Sequence, residues 1–348
     1  MPCEAIDLFC GIGGLTKGLS LAGIDVIAGY DIDESCRYAY EINNGAVFRC
    51  EDVTNINSDE IAQLYSEKSV RVLVGCAPCQ PFSRYSLRYR KNGHKDEKWK
   101  LLYAFEKLVK ELLPDIVSME NVPNLIHEQV FLDFISTLKK LNYNIDYKVV
   151  YCPDYGVPQH RKRLVLLASR LGIIKLIDPI YNKNNYLTVK DAIGALEPIQ
   201  AGETSCNDYL HHASGLSDIN IMRIQQSIPG GTWRDWDEEL RLKCHRKSSG
   251  HSFPSVYGRM EWDKPSPTIT TQFYGYGNGR FGHPEQDRAI SLREGAILQS
   301  FPEDYIFADD EHPSCKRELG THIGNAVPVE LGRAIGVSIQ KHLEQMGI

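Results

Sequence analysis

The stretch that most limits how this chain can fold lies at its beginning. Ala5-Ile-Asp-Leu-Phe9 is a short apolar run that gives way at once to Gly11, Gly13 and Gly14, after which Leu15, Leu19 and Ala22 recur at helical spacing as far as Gly23. A buried strand, a glycine turn and a helix in that order open a sheet of α/β type, because glycine lets backbone N–H groups and a helix N-terminus approach a bound nucleotide. The dinucleotide fingerprint G-x-G-x-x-G fails at its third glycine, where Thr16 stands, so a dehydrogenase loses its main support. Asp25–Tyr30 reads as a second strand ending at Asp31 and Asp33. Asp31, twenty residues past Gly11, is placed to take ribose hydroxyls or to cap the next helix, a role that suits Asp33 better. Asp52 of Glu51-Asp52-Val53 closes a third short strand, as an acceptor for an adenine amino group or as another cap.

A buried strand over Val70–Val74 breaks at Gly75 into the turn Cys76-Ala77-Pro78-Cys79-Gln80-Pro81. Open α/β sheets put their chemistry at such strand ends, and a proline of fixed φ can aim the neighbouring sulfur outward. Three readings of Cys79 stay open on these residues: a buried small hydrophobe, one half of a redox or metal pair with Cys76, or a lone nucleophile. Arg84–Lys100 carries seven Lys/Arg against two acids and suits a mobile loop closing over phosphates. Asp115–Met119 is another buried strand, ending in Glu120-Asn-Val-Pro123, so the carboxylate points into the same crevice as Cys79. Asn144–Tyr151 and Leu164–Ala168 read as a hairpin, and between them Gln159, Arg161 and Arg163 set two guanidinium groups side by side for an anion or carbonyl acceptor.

Whole-chain properties narrow the classes. The 348 residues suffice for one large domain or two ordinary ones, 42% hydrophobic and 24% charged, and no apolar stretch reaches the roughly 18 residues of a membrane helix. With no signal-peptide pattern at the N-terminus, a cytoplasmic protein is expected. Ten scattered cysteines with a single CxxC give a four-cysteine zinc site no second pair, so no metal is expected and the thiols are expected reduced. The net charge of −6 argues against indiscriminate nucleic-acid binding but leaves local basic patches free to act.

The motifs, taken together, resemble the DNA (cytosine-5)-methyltransferases of bacterial or phage type. Asp7-Leu-Phe-Cys-Gly-Ile-Gly-Gly14, Pro78-Cys-Gln80, Glu120-Asn-Val122, Gln159-His-Arg-Lys-Arg163, Arg293-Glu294 through Gln299-Ser-Phe-Pro302, and Gly324-Asn-Ala-Val-Pro328 fall in that family's order. The resemblance implies a Rossmann-like S-adenosylmethionine-dependent sheet with a second, smaller and irregular target-recognition domain. It places the catalytic domain at 1–177 and 320–348, and recognition with its hinge at 178–319. Phe9, Gly11, Gly13, Gly14, Asp31, Ile32, Asp52, Val53, Pro78, Asn325 and Ala326 would hold S-adenosylmethionine and release S-adenosylhomocysteine. Ile32 stands where the family often has tryptophan, and Gly75-Cys-Ala-Pro-Cys79 departs from the commoner double-proline form, which makes Cys76 a bystander.

Cys79 would be the nucleophile, and Glu120 and Arg163, helped by Arg161, would hold the cytosine. Cytosine C5 attacks a methyl sulfonium poorly, and a thiolate added at C6 turns the ring into an enamine whose C5 can attack. Such chemistry needs the base flipped out of the duplex. Gln80, Ser83, Arg84, Arg88, Gln159, Arg234, Arg241 and Arg246 are the expected DNA contacts, Trp233 and Trp236 standing among the last three. The expected partner is double-stranded DNA, with a restriction endonuclease of the same site as counterpart, no membrane, and a monomeric enzyme. Two rivals remain. RNA (tRNA) cytosine-5 methylation would use the same chemistry, and thiol–disulfide exchange through Cys76 and Cys79 leaves the glycine turn, Glu120 and the arginines without a task.

Overall fold

The computed structural model describes residues 2–78, 95–247, 250 and 252–348, with backbone alone at 95–98. Seven strands, β1 (Cys3–Leu8), β2 (Asp25–Asp31), β3 (Val47–Cys50), β4 (Val70–Gly75), β5 (Ile116–Asn121), β6 (Asn144–Tyr151) and β7 (Lys162–Ser169), form one sheet of order β3-β2-β1-β4-β5-β7-β6. The first five pair in parallel, while β7 runs antiparallel between β5 and β6. This is the expected open α/β sheet, and its strand order reverses on either side of β1 and β4, where such sheets bind ligands beyond the strand C-termini.

The helices are α1 (Gly14–Leu21), α2 (Arg37–Asn44), α3 (Ser58–Leu64), α4 (Lys95–Leu112), α5 (Gln129–Lys140), α6 (Val189–Ile193), α7 (Asp218–Gln226), α8 (Leu292–Leu298), α9 (Lys316–Asn325) and α10 (Val329–Met346). Alternate strand residues feed opposite faces of the sheet. Ala5, Val72, Val74 and Val165 pack with Leu15 and Leu19 of α1, Ala39 of α2 and Ile335 and Ile339 of α10. Ile6, Leu8, Leu73, Val117 and Leu166 pack with Ile61 of α3, Phe105 and Leu108 of α4 and Phe131 and Phe134 of α5. Each fully buried aromatic ring contributes about 1.5–3 kcal/mol, so two such cores hold the strand ends in fixed relation.

Two close approaches bring the ends of the chain together. A side chain at Gly14 would run into the Val327 carbonyl, and one at Gly18 into the backbone of Val329 and Gly332. Glycine is thus required where α1 meets the turn before α10, quite apart from any ligand. Between Asp178 and Arg288 regular structure is sparse. There a small separate core forms from Ile224, Trp233, Trp236, Leu240, Tyr276 and Ala289. The buried Arg259 guanidinium ties it together by donating to the carbonyls of Ile224, Ser227, His283 and Gln286. α8 begins with a capping box, Ser291 accepting from Glu294 N–H while the Glu294 carboxylate accepts from Ser291 N–H.

Candidate active site

At the end of β1 the chain turns sharply, with Phe9 at φ 61° and Gly11 at φ 50°. A left-handed phenylalanine is strained and persists only where its surroundings fix it, as they often do at functional sites. The Asp31 carboxylate fixes this turn by accepting from Gly11 N–H at 2.9 Å and from Asp33 N–H at 3.0 Å. A side chain at Gly11 would meet nothing within 4 Å among the described residues, so the turn has room beside it. Ile32 is 70% exposed beside it. Asp52 accepts from Thr54 N–H at 2.8 Å, a bond that holds its carboxyl below the usual range; it is therefore a turn cap, with its second oxygen outside that bond. The Val53 side chain is buried in the core.

Asn325 ends α9 and is exposed, and the Ala326 carbonyl accepts from Arg161 and Gln299 at 3.4 Å. Two contacts fasten α9 near Asp31. His322 Nε2 lies 3.1 Å from Asp33 Oδ2 and 3.2 Å from Ser35 Oγ. Burial alone would raise the Asp33 carboxyl, but hydrogen bonds from Ser35 and His322 and the histidine's charge hold it below its ordinary value. Cys36 joins Asp33 and His322 as a trio whose ligand-type atoms lie within 4.8 Å of one another. The bonds just given account for that geometry as a latch between α9 and the end of β2.

The second half of the crevice follows from strand direction. Because β7 is antiparallel, its first residues meet the C-terminal end of β5, with Asn121 opposite Leu164 as the last pair. Arg163 therefore falls beside Glu120, Nε at 2.8 Å from Oε1, with Glu120 1% exposed on its side chain and Arg163 15%. Glu120 Oε1 has the ion-pair distance but, among the described residues, no hydrogen-bond partner of good geometry. Glu120 Oε2 accepts from the Cys76 thiol at 2.8 Å. Asn121 Nδ2 donates to the Ala77 carbonyl at 3.0 Å, so β5 grips the Cys76–Pro78 turn twice. Pro78 is exposed at its tip. Cys79, Gln80, Ser83, Arg84 and Arg88 lie outside the described residues.

Gln159 lies in the core and not at the DNA-facing edge expected for it, and Arg161 is buried next to it, donating to Gln159 Oε1 at 3.3 Å. Gln159 is fully buried; its Nε2 donates to Gln299 Oε1 at 2.9 Å and to the Leu298 carbonyl at 3.1 Å, and its Oε1 accepts from Ile269 N–H at 2.9 Å. An amide so engaged has no edge for DNA. Arg161 donates to the Ile269 carbonyl at 3.1 Å and to Ala326. Burial, and then repulsion from Arg163, pushes the Arg161 guanidinium down to about 9, which still leaves it charged at neutral pH. Two guanidinium groups beside the single Glu120 carboxylate leave this end of the crevice cationic.

Farther out, Arg234 is exposed with its guanidinium 5.4 Å from the centre of the Trp233 ring. Arg246 is exposed and donates to the Glu238 carbonyl at 2.8 Å, whereas Arg241 donates from Nη2 to the carbonyls of Arg234 and Trp236. Trp233 and Trp236 are buried, so these rings are core, not contact surface. Gln299, His322, Asn121 and Cys76 are the participants sequence reasoning left without a role. Gln299 carried a signal, an amide at the end of the apolar helix α8 inside a family motif, and Asn121 lies in the Glu120-Asn-Val122 motif.

Asp7, next to the C-terminal end of β1, is 1% exposed; its Oδ2 accepts from Thr16 Oγ1 at 2.7 Å, and its Oδ1 has no partner among the described residues. Burial pushes this carboxyl up to about 7 from an ordinary 3.8, the Thr16 bond offsetting part of the rise. The native state thus holds the proton more tightly than the unfolded chain, so Asp7's contribution is fully present below about pH 4 and is lost by about pH 7. The loss is roughly 4 kcal/mol at most. Asp7→Asn is expected to remove that slope, melting near wild type at pH 4 and several degrees above it at pH 8. A mutant whose melting follows the wild-type pH curve contradicts this.

An open α/β sheet with a reversed seventh strand, an acid-braced glycine turn and a carboxylate–arginine pair beyond β5 defines a methyltransferase-type site. The C-5 cytosine-specific DNA methylase family model matches residues 3–341. The chain is 54% identical over 347 residues to the Type II methylase M.HgiDII of Herpetosiphon aurantiacus, covering 99% of this chain and 97% of that one. It is 32% identical to the Type II methyltransferase M1.BsuMI of Bacillus subtilis, over 93% and 77%. A prophage-encoded protein of E. coli described as a DNA modification methyltransferase shares the fold at TM-score 0.74 and 23% identity, over 98% and 99%. The Dnmt2 methyltransferase of S. pombe does so at 0.61 and 17%, over 99% and 100%. The chain belongs to the C-5 cytosine-specific DNA methylases and is a DNA (cytosine-5-)-methyltransferase, of a family that depends on S-adenosylmethionine and acts on DNA. Among the described residues no helix is long and apolar enough to cross a membrane.

Proposed function

We propose that Cys79, Glu120 and Arg163 methylate one flipped-out cytosine within a specific duplex sequence. The carrying observation is the Glu120–Arg163 pair, 2.8 Å apart at the foot of the turn that leads into Cys79. S-adenosylmethionine fits the crevice beyond β1 and β2: there is room beside Gly11, Asp31 can take the ribose hydroxyls, and Phe9 and Ile32 offer apolar edges to adenine. Gly13, Gly14, Asp52, Val53, Pro78, Asn325 and Ala326 complete its rim. When bound, the cofactor supplies a methyl group on a cationic sulfur and leaves as S-adenosylhomocysteine.

The Cys79 thiolate adds to C6 of the base, and the C5=C6 electron pair becomes available at C5. Glu120 shares a proton with the base at N3, and Arg163 holds the carbonyl oxygen, so charge building on the ring meets fixed groups. After C5 is methylated, its proton leaves to a base, the C5=C6 bond re-forms, and Cys79 departs as thiolate. Arg161 acts through position, fixing the segments of Ile269 and Ala326. The excess positive charge of the two arginines favours both the thiolate and the electron-rich adduct.

Residues 1–177 and 320–348 carry the chemistry, and 178–319 recognition and its hinge. Support for the latter is the separate small core around Trp236, with Arg234 and Arg246 exposed on it. The enzyme works as a monomer on double-stranded DNA in the cytoplasm, and a restriction endonuclease cutting the same sequence acts beside it without touching it. Labelled methyl transfer offered to duplex DNA and to tRNA tests the substrate. Label is expected in the DNA at one recurring sequence. Label in tRNA with none in DNA would overturn the reading.

A further inference from the structure

We infer that Cys76 is a positioning residue of the methyl-transfer site: its thiol turns Glu120 so that Oε1, beside Arg163, faces the cytosine. The inference rests on the role given to Glu120 above. A carboxyl group has two oxygens and a free torsion, and only one oxygen can meet the ring. In this crevice the two are set apart. Oε2 accepts from Cys76 Sγ at 2.8 Å, while Oε1 lies 2.8 Å from Arg163 Nε and makes no hydrogen bond of good geometry among the described residues. Oε1 is thus the oxygen held in reserve, and the thiol is what keeps Oε2 from rotating into its place.

The thiol is also fixed from behind. Cys76 N–H donates to the Leu8 carbonyl at 3.3 Å, continuing the β1–β4 ladder one residue past Gly75, and Asn121 holds the Ala77 carbonyl. Cys76 is therefore anchored on both sides in backbone, and its side chain is aimed by the end of β4. Glu120 is aimed by β5, the adjacent parallel strand. Two neighbouring strand ends cross-braced through S–H···O hold a carboxyl to the narrow angular range that catalysis needs. This gives the CxxC of the sequence a meaning apart from redox exchange: one sulfur reacts, and the other orients the acid.

Cys76→Ala removes the donor, and Cys76→Ser restores one of similar size. The Ala enzyme is expected to lose about tenfold in kcat on duplex DNA, with KM for S-adenosylmethionine and for DNA within about twofold. Its covalent trapping by 5-fluorocytosine duplex should slow in parallel. Cys76→Ser should recover most of the loss. Cofactor affinity measured by calorimetry confirms that each variant is folded. Ala and Ser variants that match each other, whether at wild-type speed or equally slow, overturn the inference, as does a loss confined to KM. A wild-type enzyme that fails to methylate DNA would instead overturn the role of Glu120 itself, so the two failures are told apart.

Discussion

Cys79→Ser is expected to reduce methyl transfer to duplex DNA at least about 10³-fold while leaving S-adenosylmethionine affinity within about twofold. A serine hydroxyl is far less ionised than a thiol and adds poorly to C6, so the step that makes C5 nucleophilic is lost. Cofactor binding is spared because its supports stand apart from the sulfur. Asp31 braces the glycine turn at the ends of β1 and β2, and Asn325 is exposed at the end of α9, which the Asp33–His322 pair fastens. Single-turnover transfer together with calorimetric titration of the cofactor checks both halves. Activity near wild type would remove Cys79 from the mechanism, and lost cofactor affinity would make it a structural residue.

The second large effect concerns which DNA is modified. Every such enzyme meets the same extruded cytosine, so the Glu120 end of the crevice cannot distinguish sites, and discrimination must come from the flanking base pairs. The resemblance sets recognition and its hinge at 178–319, but packing argues for narrower limits. Ile224 and Trp236 share a core with Tyr276 and Ala289, and Arg259 binds the carbonyls of Ile224 and His283 together. Residues 216–289 should therefore move as one piece. A chimera carrying that piece from a relative is expected to methylate the relative's sequence, since one bidentate arginine–guanine contact discriminates by about 1–3 kcal/mol. Methylation sequencing of host DNA reads the outcome. An active chimera that keeps the original sites would place recognition in Arg84–Lys100.

Much of this site could be read before any coordinates. Strand ends rich in acid and glycine are local features, and the Asp31–Gly11 brace spans only a strand, a helix and a turn. The hairpin of β6 and β7 showed in two apolar runs, and the antiparallel register then delivered Arg163 to Glu120. What stayed hidden depends on which residues meet across the chain. Gln159 looks like a DNA contact because polar side chains are usually exposed, yet its amide is engaged inside by Gln299, Leu298 and Ile269. Trp233 and Trp236 stand among basic residues in sequence, but the small unit has few other large apolar groups from which to build a core. The Asp33–His322 latch joins residues 289 positions apart, beyond the reach of any local pattern. Cys76 looked idle because its partner arrives from another strand.

The central claim is that a thiolate at Cys79 attacks a flipped cytosine. It is tested most directly with duplex DNA bearing 5-fluorocytosine at the methylated position, incubated with S-adenosylmethionine and digested for peptide mass spectrometry. Fluorine cannot leave C5 as a proton does, so the adduct cannot resolve. The account predicts a stable enzyme–DNA complex, one per site, with the base joined to Cys79. No complex from an enzyme that methylates ordinary duplex, or a complex joined at Cys76, would contradict it.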